Sequence, residues 1–252
     1  MSLTPSILAA AGGLSSFNPS TDNITVTLGP LGPIYVGDLI SVGVAGLTIL
    51  ALGLRLRMKV TSGVPGRLQL AFETIVGAVE NQVTSMMGDQ GLFIVPLAVT
   101  LFIFILFCNW IDMIPTTWPG HDQLLPAPTG DINMTAALAV LVILLVHFTW
   151  IQKNGLRAYI GHYFKPPAMF IINVVEEIAK PLTLALRLFG NIFAGGVMLL
   201  LISYLPAKFI VPIPLLDVIW KLFDGLFVGP VQAFIFTLLT VLYFSSAVTG
   251  GH

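Results

Sequence analysis

Between Gly91 and Ile111 the chain reads GLFIVPLAVTLFIFILFCNWI, without one charged side chain. As a helix, such a run is long enough to cross the hydrocarbon of a bilayer. It restricts the fold severely, because a backbone in lipid must satisfy its own hydrogen bonds, which helices and closed barrels alone can do. Further runs occupy Asp38–Leu54, Met134–Ile151, Pro166–Tyr204 and residues 213–248. Of the 252 residues, 56% are hydrophobic and 9% charged, against about 25% charged in soluble domains. The composition predicts an all-α polytopic membrane protein with about five transmembrane helices plus an amphipathic helix. The expected organisation is an extracytoplasmic arm at 1–37 and a membrane domain at 38–252. Its helices are expected at about 38–57, 65–88 (amphipathic), 91–113, 133–153, 166–204 and 213–248.

Charge placement orients the chain. Arg55, Arg57, Lys59, Arg67, Lys153, Arg157 and Lys165 fall at one set of helix ends, which the positive-inside rule makes cytoplasmic. Lys180 and Arg187 lie within a helix, and only Lys208 and Lys221 fall near the opposite side. The expected topology is N-terminus out and C-terminus in. A formal net charge of −1 gives no sign of nucleic-acid binding, and a single cysteine, Cys108, excludes an intrachain disulfide framework and any CxxC metal site. The first residues lack the basic segment of a secretory signal.

Several polar residues interrupt the apolar pattern. In 66–88, Leu68, Phe72, Ile75, Val76, Val79 and Val83 recur at helical spacing among Glu73, Glu80, Asn81 and Gln82, the pattern of an interfacial or packed amphipathic helix. Asn109 and Asp112 end the next span, and Asp131 with Asn133 reads as a helix cap. His121-Asp122 in the intervening loop offers a proton or metal site, but two adjacent polar loop residues are more often simply solvated. His147 lies inside a span, where a neutral, hydrogen-bonded histidine is preferred over proton carriage.

The two last runs are too long for a simple crossing. Pro166–Tyr204 would measure about 57 Å as a helix, against about 30 Å of hydrocarbon. The pair is expected as a strongly tilted hairpin around a partner; a break at Pro181 or Gly195-Gly196 into half-helices is the alternative. At 100° per residue Glu176, Lys180, Thr183, Arg187 and Asn191 share one face. An arginine at membrane depth cannot become neutral and is ordinarily functional. A network of Glu176, Glu177, Lys180 and Arg187 is the structural reading; a water path or contact with outside charges is the functional one. Gln232, on the second long helix, is the natural partner for Arg187. Asp217 and Asp224 lie toward one end, Glu176 and Glu177 toward the other.

KPLTLALRLFGNIFAGG, followed by QAFIFTLLTVLYFSSA, resembles subunit a of F-type rotary ATP synthases, as do NWIDMIP and DINMT. The resemblance covers most of 38–250 and omits the arm. It implies a stator subunit beside a ring of c subunits, with b-type peripheral-stalk subunits and, indirectly, the F1 sector as partners, in the plasma membrane of a bacterium. Arg187 would be the essential arginine, supported by Asn191 and Gln232. Glu176, Glu177 and Lys180 would line an inner half-channel. Many family members carry Glu or His where this chain has Gly196 and Gly225. Asp224 is the expected substitute in the outer half-channel, with Asp217, Asp112 and His147 contributing. The resemblance implies no cofactor, no metal and no chemical active site in this chain.

A proton-coupled secondary transporter is the alternative, although no internal repeat supports it. A structural scaffold leaves Arg187 unexplained. The four histidines lack paired haem-ligand spacing, against a redox subunit. Protons are preferred over sodium because no oxygen cage is evident.

Overall fold

The computed structural model describes residues 25–27, 33–61, 63–114, 127–156, 170–203 and 213–249. The His121-Asp122 loop, the basic loop with Arg157, His162 and Lys165, Lys208, the C-terminal tail and most of the N-terminal arm lie outside those residues. In the arm, β1 (Thr25–Thr27) pairs antiparallel with β2 (Pro33–Tyr35), Val26 opposite Ile34.

The rest is helical. α1 spans Val36–Lys59, α2 Arg67–Met87, α3 Val95–Ile111 and α4 Ile132–Asn154. α5 spans Phe170–Ser203, α6 Ile213–Phe223 and α7 Gly229–Thr249. Five stretches are long and apolar enough to cross a membrane: Leu39–Lys59, Arg67–Ile111, Ile132–Asn154, Val174–Ile202 and Leu215–Val248. This is the all-α polytopic architecture that the apolar runs predict.

Local chemistry sets the helix ends. Gly88 terminates α2 with φ 61°, a conformation that favours glycine, and a 3₁₀ segment, Gly88–Ile94, leads into α3. Gln69 closes the α1–α2 turn by donating from Nε2 to the Thr61 carbonyl at 3.2 Å and to Glu73 Oε1 at 2.7 Å. Asp131 caps α4, its carboxylate accepting from the Asn133 backbone N–H at 2.9 Å.

The core lies where α2, α3, α4, α5 and α7 meet. Ile94, Ala98, Ile105, Ala139, Val142, Leu184, Leu188, Ala233 and Phe236 are almost fully buried there. α4 packs on α5 and α7, α3 packs on α7, and α1 packs on α3. α5 buries Leu184, Ala185 and Leu188 while leaving Leu182, Leu186, Phe193 and Leu201 exposed. For a membrane helix this is a division between protein-facing and lipid- or partner-facing sides.

α5 is continuous through Pro181 and through Gly195-Gly196, so the expected alternative of two half-helices is overturned. Packing of Leu184, Ala185 and Leu188 on the neighbouring helices holds the segment across the proline. At 1.5 Å per residue its 34 residues extend about 51 Å.

The second long segment carries a local irregularity. Between α6 and α7, Asp224–Val228 forms a π turn in which the Gly229 N–H bonds the Asp224 carbonyl. Pro230 supplies a reason: it has no N–H for the Leu226 carbonyl, so the α-helical ladder cannot continue through that position. π turns add one residue to a helix and recur at functional sites.

Candidate functional site: two polar clusters on either side of Arg187

Arg187 is exposed on α5, at the edge of the face that buries Leu184 and Leu188. Glu176 and Thr183 are exposed on the same side, whereas Lys180 and Asn191 are half-buried. The shared stripe is therefore tilted: its members line one side but do not all emerge from it. Among the described residues no ion pair includes Arg187, and the expected network of Glu176, Glu177, Lys180 and Arg187 forms only in its glutamate–lysine part.

Gln232 is 6% exposed on α7, and its Nε2 donates to the backbone carbonyl of Arg187 at 2.7 Å. The expected pairing of the two residues is thus made through the main chain. An amide that donates to a helical carbonyl fixes the depth and rotation of α5 without engaging the guanidinium.

Toward the start of α5, ten residues or about 15 Å from Arg187, lies the first cluster. Lys180 Nζ is 2.6 Å from Glu177 Oε1 and 4.0 Å from Glu176 Oε1. His147 Nε2, from α4, is 3.5 Å from Glu177 Oε2. His147, Glu177 and Lys180 are each about one-quarter exposed, and Glu176 is 67% exposed. The expected grouping of His147 with Asp112, Asp217 and Asp224 is corrected here. Packing of α4 against α5 carries its imidazole to the glutamate pair.

The second cluster lies beyond Arg187 in the other direction. The Asp224 carboxylate packs against Gly195, eight residues or about 12 Å along α5. A side chain at Gly195 would place its Cβ 3.4 Å from Asp224 Oδ2. Trp220 Nε1 donates to the Gly195 carbonyl at 3.2 Å, tying α6 to α5 at that point. Lys221 Nζ donates to the Asp112 carbonyl at 3.4 Å. Burial raises the Asp112 carboxyl above its ordinary 3.8, with the Lys221 charge opposing. Asp217 has one buried carboxylate oxygen without a hydrogen-bond partner among the described residues.

Residues to which the sequence pattern assigned no contact hold this end together. Asn109, 6% exposed, donates from Nδ2 to the Gly229 carbonyl at 3.2 Å and accepts from Thr129 Oγ1 at 2.9 Å. The Gly225 carbonyl accepts from Trp110 Nε1 at 3.0 Å. Its π-spaced donor would be residue 230, a proline, so the indole supplies the missing bond. Two consecutive α3 residues therefore hold the π turn. Gly225 itself lies directly beneath Met113, and a side chain there would collide with the thioether. Gly229-Pro230 is the signal in the sequence that could have indicated the turn. Among the described residues no cluster of histidine, cysteine, aspartate and glutamate could hold a metal ion.

A bundle of apolar helices with an exposed arginine between two titratable clusters defines a multi-pass membrane protein with polar groups arrayed along its depth. The model of the ATP synthase A chain family matches residues 39–245. The chain is 50% identical over 212 residues to ATP synthase subunit a of Acidothermus cellulolyticus, covering 83% of this chain and 76% of that one. It is 46% identical over 220 residues to the Mycobacterium tuberculosis subunit a, covering 83% and 85%. It is 38% identical over 224 residues to that of Moorella thermoacetica, covering 88% and 94%. The chain belongs to the ATP synthase A chain family, and its role is in the membrane sector of an ATP synthase.

Proposed function

We propose that this chain is the proton-translocating stator subunit of an ATP synthase membrane sector, coupling proton flow to rotation of a ring of c subunits. One observation carries the reading: Arg187 is exposed on α5, with one titratable cluster about 15 Å before it and another about 12 Å after it. Carboxylates on both sides of a fixed charge suit two half-channels that must not connect. By the positive-inside count the Glu176–Glu177–Lys180 end is cytoplasmic and the Asp224 end is outside. The b-type peripheral-stalk subunits would hold the chain against the turning ring in the bacterial plasma membrane.

In this mechanism a proton enters from outside past Asp112, Asp217 and Asp224 and neutralises a c-ring carboxylate. The neutral carboxyl can turn into lipid, where the ionised form is too costly. After nearly one revolution it reaches the inner half-channel at Glu176 and Glu177. The approach of Arg187 favours ionisation, since an opposite charge within about 4–6 Å lowers a carboxyl pKa by about 1–3 units. The proton leaves inward, and Arg187 blocks direct passage between the half-channels. Asn191 and Gln232 hold its helix segment. Each proton delivers roughly 2.3 kcal/mol per 100 mV, so several combine for each ATP.

Asp224 as the outer acid is supported by the π turn. It stands eight residues before Gln232, and the added residue of the turn gives it an angular position near that of residue 225 in an uninterrupted α-helix. An acid displaced by one position can thus serve where glycine occupies the usual one.

The test is the assembled complex in sealed vesicles. Arg187→Ala should abolish coupled ATP synthesis while leaving the complex assembled. Arg187→Lys should fail too, because lysine lacks the planar fork and can lose its proton in an apolar site. A normal synthesis rate with Arg187→Ala would refute the proposal.

A further inference from the structure

We propose that His147 carries protons in the inner half-channel, receiving them from Glu177 and releasing them to cytoplasmic water; this rests on the function proposed above. The glutamate is engaged on both oxygens: Oε1 faces Lys180 Nζ at 2.6 Å and Oε2 faces His147 Nε2 at 3.5 Å. Lys180 is the nearer cationic group to Glu177, at 2.6 Å against 3.5 Å for the imidazole. What the imidazole adds is a second group that can take up a proton and pass it on.

Its position suits transfer. His147 lies seven residues before the end of α4 at Asn154, about 10 Å along the helix. At about one-quarter exposure, His147 and Glu177 are both largely covered by protein yet reach the surface of the chain. The charged groups facing the imidazole among the described residues are Glu177 and Lys180, with Glu176 beyond Lys180. Lys180 Nζ occupies the Oε1 side of Glu177, which leaves Oε2 as the oxygen that faces the imidazole. The transfer balances simply. A proton arriving on Glu177 passes from Oε2 to Nε2, the ring becomes an imidazolium, and the Nδ1 proton leaves to water. Water then returns a proton to Nδ1 as Nε2 releases one, which restores the first tautomer for the next proton.

The complex in sealed vesicles tests this with His147→Ala and His147→Gln. Glutamine keeps a hydrogen-bonding group beside Glu177 but cannot carry a proton. Both variants should lower ATP synthesis and ATP-driven proton pumping about a hundredfold, at the low end for acid–base groups. Imidazole supplied on the cytoplasmic side should restore the alanine variant, with a series of substituted imidazoles ranking by basicity. Normal rates in His147→Gln would overturn the inference and assign the residue to helix packing. Slow rates in both variants that no imidazole restores would also overturn it. Arg187→Ala measured alongside separates the two levels: if it abolishes synthesis while His147→Gln does not slow it, only the histidine assignment fails; if it leaves synthesis normal, the parent reading fails.

Discussion

Gln232 Nε2 holds the main-chain carbonyl of Arg187 at 2.7 Å, so the two residues meet through backbone while the Arg187 side chain stays exposed. Gln232→Leu removes a buried hydrogen bond worth about 1 kcal/mol net. The expected result is a roughly fivefold loss of coupled proton transport, far milder than the loss from Arg187→Ala. Gln232→Glu should be more harmful than Gln232→Leu, because a carboxylate cannot donate to the carbonyl and offers Arg187 a permanent counter-ion. Rates of ATP synthesis in reconstituted vesicles rank the three variants.

Gly225 and Met113 form a second testable pair. Gly225→Ala forces the Met113 side chain to move, and overpacking of this kind costs about 1–3 kcal/mol. Met113→Ala should relieve the collision, making the double variant more stable than the sum of the single effects requires. Thermal denaturation of the purified membrane sector gives the coupling energy.

The Thr129–Asn109–Gly229 chain of hydrogen bonds is buried, so breaking it leaves polar groups without partners. Asn109→Leu should destabilise the sector by about 1–3 kcal/mol, and Thr129→Val by less. Trp110→Phe should cost about 1 kcal/mol by removing the donor to the Gly225 carbonyl. Faster amide exchange around Asp224–Val228 in Trp110→Phe, relative to the unaltered chain, would locate the effect in the π turn.

Asp112 gives a pH dependence with a definite sign. Its folded-state pKa is raised by burial above 3.8, so the ionised form disfavours the fold. Stability from this group falls as pH rises from about 3.8 through the folded value. Asp112→Asn should flatten that decline and raise the apparent Tm above the window. Lys221→Met should steepen it, since the lysine charge opposes the shift. Tm measured across pH for the three proteins checks the order.

Much of the fold was legible because hydrocarbon imposes simple demands. The uncharged run at Gly91–Ile111, the cap at Asp131 and the length of the Arg187 helix each follow from backbone satisfaction and side-chain polarity. The clusters were only half legible. Angular counting along one helix relates Glu176 to Arg187, but it says nothing of which neighbour approaches. His147 therefore went with the wrong carboxylates until the packing of α4 on α5 was known. Angular counting also presumes an unbroken 100° step, which the π turn at Asp224–Val228 violates. Thr129 and Met113 act by tertiary contact alone and leave no periodic trace.

Pro181, which α5 accommodates without breaking, has an electrical consequence. The ring nitrogen carries no hydrogen, so the carbonyl one turn earlier, that of Glu177, lacks its usual intrahelical donor. A carbonyl in that state presents partial negative charge, as the last turn of a helix does. Glu177 thus offers a dipole as well as a carboxylate at the same depth. An unbroken helix acquires the cation-attracting character of a C-terminus partway along its length, beside the residue proposed to take the proton.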